Sequence, residues 1–172
     1  MKSMSKMAFV LAILVIGASV IRAQTDARVT DIRARVATIN KDSVKYKKTK
    51  KDVMDISTEG AEATLYHAGK DLKKIAVKIY GETFNGTIEF YFAGGQLIFE
   101  YDRINHYDTQ IGLKKPVKVV RVEEIRSYFD NGKLFKLLNG TKEIAAGADE
   151  FVDAQKQGPK MIKAILEEGT NK

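Results

Sequence analysis

The chain has no cysteine and no tryptophan, two prolines (Pro116 and Pro159) and two histidines (His67 and His106). Without cysteine there is no disulfide framework, no thiolate metal site, no cysteine nucleophile and no attachment point for a bacterial lipoprotein anchor. The lack of tryptophan, and of aromatics interleaved with the basic residues, argues against a groove for single-stranded nucleic acid. Ser43, Ser57 and Ser127 stand in no Gly-x-Ser-x-Gly elbow. No glycine-rich phosphate loop precedes a helix. These absences exclude most recognisable catalytic classes and imply no cofactor.

The longest apolar run, Ala8 to Val20, follows Lys2 and Lys6 and precedes Ile21-Arg22-Ala23. A basic start, an apolar run of this length and a small residue before Gln24 read as a signal peptide over residues 1–23. The run falls short of the roughly 20 residues that span a bilayer. The expectation is an exported protein, periplasmic or extracellular, soluble and neither lipid-anchored nor transmembrane after cleavage. Removal of Lys2, Lys6 and Arg22, with no acid among the first 23 residues, takes the formal charge from +7 to about +4. That is too mild for a nucleic-acid binder. The remaining residues, 24–172, are enough for one domain with its own core.

One phrase recurs three times: Tyr66-His67-Ala68-Gly69-Lys70-Asp71-Leu72, Tyr91-Phe92-Ala93-Gly94-Gly95-Gln96-Leu97 and Tyr128-Phe129-Asp130-Asn131-Gly132-Lys133-Leu134. Tyr stands at one end, Leu six residues later, and glycine in the turn between apolar or alternating runs. That is a β-hairpin signature, so the core is expected to be an antiparallel sheet made by repeating one device. Around these hairpins, Val29, Ile32, Val36 and Ile39 predict a helix over 26–40, with a strand as the alternative because Val and Ile are β-branched. A strand is expected at 53–57, just after the lysine-rich run 41–51. The first hairpin pairs 62–67 with 72–80, and the second pairs 87–92 with 97–102. In the second, Phe92 opposite Leu97 sets Phe90 opposite Phe99 and Ile88 opposite Tyr101 as one apolar face. Residues 81–86 are expected to connect the two hairpins, and 103–116 to be irregular. A strand at 117–129 turns through Asn131-Gly132 into 134–138, and Asn139-Gly140 ends the sheet. Asn85-Gly86-Thr87 and Asn139-Gly140-Thr141 match the glycosylation triplet but read as Asn-Gly turns. Residues 145–168 are helical in composition, broken or kinked at Gly158-Pro159. The fold class is α+β: a curved antiparallel sheet of repeated hairpins packed by N- and C-terminal helices.

The phrase Tyr128-Phe129-Asp130-Asn131-Gly132-Lys133-Leu134 and its two counterparts resemble the hairpin repeats of uncharacterised exported envelope proteins of Bacteroidota. They are also similar to hairpin repeats of the MORN-variant type. The resemblance runs from about Thr58 to Leu138 and departs at His67, where the other repeats have Phe. It implies a fold and an envelope location, and no activity.

Few residues suggest chemistry. His106, Tyr107 and Asp108, in the 103–116 stretch, are expected to offer a contact surface to a partner; His106, with Asp102 also nearby, is in addition the remote candidate for a hydrolase centre or metal ligand. Glu123 and Glu124, adjacent on a strand, point to opposite faces and suit cross-strand ion pairs with Arg121 and Arg126 better than a paired-carboxylate site. Lys47, Lys48, Lys50 and Lys51 suit either an anionic partner surface or the protection of an exposed sheet edge. Tyr66, Tyr91 and Tyr128 occupy equivalent positions. If their face is open, they form a ladder suited to a partner, and otherwise they pack under a terminal helix. The expected function is a non-enzymatic binding domain for a protein or envelope component. The alternative is a carrier with an apolar pocket lined by Phe90, Phe92, Phe99 and Tyr101.

Overall fold

The computed structural model describes residues 24–54, 56–57, 59–113 and 116–167. The expected signal peptide lies outside them. The chain divides into two compact units between Arg35 and Val36. In the first, residues 24–35 belong to a helix, α1, that runs over 24–42. Its buried positions Val29 and Ile32 follow the predicted stripe, and Arg35 pairs with Asp31 one turn earlier at 2.8 Å.

The second unit carries one eight-stranded antiparallel sheet whose strand order follows the chain. Its strands are β1 (Lys47–Val53), β2 (Ala61–Ala68), β3 (Asp71–Gly81), β4 (Phe84–Ala93), β5 (Gln96–Tyr107), β6 (Val119–Asp130), β7 (Lys133–Asn139) and β8 (Lys142–Ile144). The C-terminal helix α2 spans Asp149–Glu167. The protein is thus α+β, a curved open sheet with helices before and after it in sequence.

All three repeated phrases form hairpins, and each carries the same irregularity. The register shifts between Tyr66 and His67, between Tyr91 and Phe92, and between Tyr128 and Phe129. In each case one residue of the returning strand, Lys73, Ile98 or Phe135, is left without a partner, which is a β-bulge. The turns differ as their glycines do. Asn131 and Gly132, like Gly94 and Gly95, both take positive φ, the requirement of a type I′ turn. In the first hairpin Gly69 alone is positive, in keeping with its earlier position and the type II′ pattern.

The bulge overturns the expected register of the second hairpin. Phe92 does face Leu97, but Phe90 then meets Glu100 and Ile88 meets Asp102, while Tyr91 meets Phe99 and Glu89 meets Tyr101. Unbroken alternation had put Phe99 and Tyr101 with Phe90; one extra residue sends them to the other face.

The first face is the main core. Leu65, Ile75, Val77, Ile88, Phe90 and Phe92 pack with Ile162 and Ile165 of α2, and a second cluster joins Phe129, Leu134, Leu137 and Ile144 to Phe151 and Ala154. Helix α2 runs unbroken through Gly158-Pro159, contrary to the expected interruption. Gln155 ties it to the third hairpin: its Oε1 accepts from Leu134 N at 2.6 Å and its Nε2 donates to the Gly132 carbonyl at 3.1 Å.

The opposite face carries the aromatic ladder. Tyr91, Phe99, Tyr128 and Phe135 follow one another at centroid separations of 5.8, 4.9 and 6.3 Å. Asn40, from the last turn of α1, closes one end of it. Its Oδ1 accepts from Lys74 Nζ at 3.0 Å and from Tyr91 Oη at 3.1 Å, while Lys74 also pairs with Glu89 at 2.7 Å. Burial, then the neighbouring Glu89 carboxylate, pushes the Tyr91 phenol well above its ordinary range. Replacing Asn40 with Ala leaves these buried donors short of an acceptor. It is expected to lower stability by about 1 kcal/mol, read as a shift of the urea midpoint at unchanged slope.

Four boundaries differ from expectation. Strand β1 is the lysine run itself, and it is an edge strand, anchored by the buried Val53. The connection after β3 shrinks to Glu82-Thr83, so Asn85-Gly86-Thr87 lies inside β4 and is no turn. A Cβ on Gly86 would stand 2.7 Å from the Arg103 carbonyl oxygen, so close strand approach is what this glycine serves. Strand β5 continues to Tyr107, because its pairing with β6 extends that far. Asn139-Gly140 does not end the sheet; it turns the chain into the short edge strand β8.

Candidate functional site

The structure places most of the expected site residues in local structural roles. Tyr91 and Tyr128 are each 1% exposed, so the ladder offers no open surface there; Tyr66 is half-buried beside Lys48, whose Nζ lies 5.5 Å from its ring centre. Of the edge lysines, Lys47 stands opposite His67 and Lys50 pairs with Glu62 at 3.2 Å. Lys51 donates to the Ile165 and Leu166 carbonyls at 3.0 and 3.3 Å, where a cation complements the C-terminal end of α2. Asp108 clamps the loop that follows β5, accepting from Lys118 N at 2.9 Å, and Tyr107 N donates to the Thr83 carbonyl at 2.8 Å.

His106 lies on strand β5, not on a loop. Its carboxylate neighbour is Glu123, with Nε2 3.2 Å from Glu123 Oε2. Arg121 bridges the two, donating from Nη1 to Glu123 at 2.9 Å and from Nη2 to His106 Nε2 at 2.8 Å. Nε2 is thus held between a carboxylate and a guanidinium. Glu123 and Glu124 do point to opposite faces. Glu124 accepts from Tyr101 Oη at 2.7 Å and pairs with Arg126 at 2.8 Å, and these partners hold its carboxyl below the usual range.

Two arrangements escaped the sequence reading. The first is a row of acids on the core face. Glu100 sits opposite both Phe90 and Ser127, and Asp102 opposite Ile88 and Ile125. Glu100 is 7% exposed, and among the described residues its Oε2 and Asp102 Oδ1 have no hydrogen-bond partner. Desolvation, then the adjacent Asp102, pushes the Glu100 carboxyl up to about 9; desolvation, then Glu123, pushes Asp102 up to about 7. Gly158 of α2 lies directly on Glu100, where a Cβ would overlap the carboxylate. Among the described residues no group of His, Asp and Glu side chains is arranged to hold a metal ion. Glu100 thus lies buried beneath α2, with Asp102 half-buried next to it.

The second arrangement is open. On the face opposite α2, at the end of the sheet away from Asn40, a groove of about 230 Å³ is lined by Lys78, Tyr80, Asn85, Thr87, Arg103 and Asn105, with Gly86 in its floor. The register explains the grouping. Lys78, Thr87 and Arg103 form one cross-strand row, and Tyr80, Asn85 and Asn105 the next. Asn105 Nδ2 donates to Asn85 Oδ1 at 3.0 Å, which fixes both amides. Among the described residues Lys78 has no ion-pair partner, and Arg103 reaches Glu124 only at 3.8 Å.

No family model, curated protein or solved structure matches this chain. The groove was hidden from the sequence because its cations come from different strands. Only the register, set by the bulges, brings Lys78 and Arg103 to either side of Thr87.

Proposed function

We propose that this is a non-enzymatic binding domain of the cell envelope, exported through its N-terminal segment, and that its contact surface is the open half of the face opposite α2. The observation that carries this reading is the groove itself, which two cations, two oriented amides, a hydroxyl and an exposed tyrosine line together. The hairpin phrases and their resemblance to exported envelope proteins support the location. No helix among the described residues is long and apolar enough to cross a membrane. A carrier pocket lined by Phe90, Phe92, Phe99 and Tyr101 is disfavoured, since the register divides these four between opposite faces. A hydrolase at His106 is disfavoured too, with Nε2 engaged by Arg121.

Co-sedimentation of the purified chain with peptidoglycan sacculi and with outer-membrane vesicles tests the proposal. The chain is expected to pellet with one of them, and the pair Lys78→Glu with Arg103→Glu to stay in the supernatant. The pair Lys48→Glu with Lys50→Glu, on the edge strand, is expected to pellet as before. No sedimentation, or equal loss in both pairs, overturns the groove as the contact surface.

A further inference from the structure

We infer that the groove takes an acidic sugar unit of an anionic glycan, an inference that rests on the binding reading above. Its size is that of a monosaccharide-scale ligand rather than a peptide segment or a drug-sized apolar molecule, for which pockets start at roughly 300 Å³. Its chemistry divides in two. Lys78 and Arg103 stand on either side of Thr87 in one row, and a carboxylate or sulfate laid across that row meets an ammonium and a guanidinium at once. The nearest carboxylates are already engaged. Glu62, opposite Lys78, is held by Lys50, and Glu124, opposite Arg103, is held by Tyr101 and Arg126 and lies 3.8 Å from Arg103.

The next row is suited to hydroxyls. The bond from Asn105 Nδ2 to Asn85 Oδ1 uses one donor and one acceptor. It leaves the Asn85 NH₂ as donor and the Asn105 carbonyl as acceptor, side by side, the complement of vicinal hydroxyl groups. Tyr80, 44% exposed, flanks that row with a ring able to cover the apolar face of a pyranose while its hydroxyl stays in water. A bare inorganic anion would use only the first row, and a neutral sugar only the second. An acidic sugar uses both.

Nitrogen-15-detected titration of the full mature chain tests this, with three probes: a galacturonic-acid oligomer, a neutral galactose oligomer of equal length, and inorganic phosphate. The expected result is saturable shifts of the Asn85 and Asn105 side-chain NH₂ signals with the acidic oligomer. Lys78→Ala and Arg103→Ala should each weaken it about tenfold, as should Asn85→Ala to a lesser degree, with thermal midpoints unchanged. Equal affinity for the neutral oligomer overturns the role of the cations. Equal affinity for phosphate overturns the role of the amides. If no probe binds while the domain still co-sediments with envelope material through Lys78 and Arg103, the acidic-sugar assignment fails and the binding reading stands. If both measurements are negative, both fail.

Discussion

Glu100→Gln is expected to make the protein more stable above neutral pH, by a few kcal/mol at pH 8, with little change near pH 4. The sign follows from where the carboxyl titrates. In the folded state burial holds Glu100 up to about 9 and Asp102 up to about 7, while in the unfolded chain they ionise near 4.5 and 3.8. Raised acids keep their protons on folding, so the folded state binds more protons than the unfolded state across that interval. Stability is then highest below about pH 4 for these two groups and falls as pH rises. The slope is about 1.4 kcal/mol per pH unit for each carboxyl still protonated in the fold. Two carboxyls contribute up to the Asp102 value and one from there to the Glu100 value. Glutamine keeps the shape and removes one of the two proton-linked terms. Urea unfolding at pH 5, 7 and 8.5 decides it: parallel curves for the two proteins would show that Glu100 ionises freely in the fold.

Gly158→Ala is expected to destabilise by about 2 kcal/mol, although alanine is the better helix former by roughly 1 kcal/mol. The added Cβ has no room, since the Glu100 carboxylate occupies its place and is itself enclosed by the sheet. Overpacking a filled interior costs about 1–3 kcal/mol, more than the propensity gain. The decisive comparison uses Glu100→Ala as background. There the methyl enters vacated space, and the sign of Gly158→Ala should reverse to stabilising. An unchanged sign would show that something other than Glu100 requires glycine in α2.

The hairpins were legible because their signals are local: an Asn-Gly or Gly-Gly turn, a tyrosine before it and a leucine after. The stripe Val29, Ile32, Ile39 was legible for the same reason, as a periodic pattern within one element. The acid row and the groove were not. Both depend on which residues share a face across strands, and one unpaired residue, Ile98, exchanges Phe99 and Tyr101 for Glu100 and Asp102. Apolar alternation favoured the unbulged register because it made an all-apolar pair of strands. The fold instead uses both faces, aromatic on one and aliphatic on the other, and accepts two buried acids. The constant Tyr-to-Leu spacing in all three phrases was the available clue, since a shared spacing implies a shared bulge. Pro159 misled differently. Its missing N–H costs one bond, but α2 is held by Gln155 on one side and Ile162 and Ile165 on the other, and tertiary packing outweighs the local break.

Because strand order equals chain order from β1 to β8, every pairing in the sheet closes a loop between immediate neighbours in sequence. Loop-closure entropy is then small at each step, and an all-neighbour meander sits at the fast end of the range for β-sheet proteins. The sheet can zip progressively from the first hairpin as the chain emerges from a ribosome or a secretion channel, needing no distant segment to begin. Helix α2 is the exception. Its apolar contacts reach from β2 to β8, so it has no complete docking surface until the last strand is in place. Vectorial synthesis thus leaves the acid row wet through assembly and buries it last.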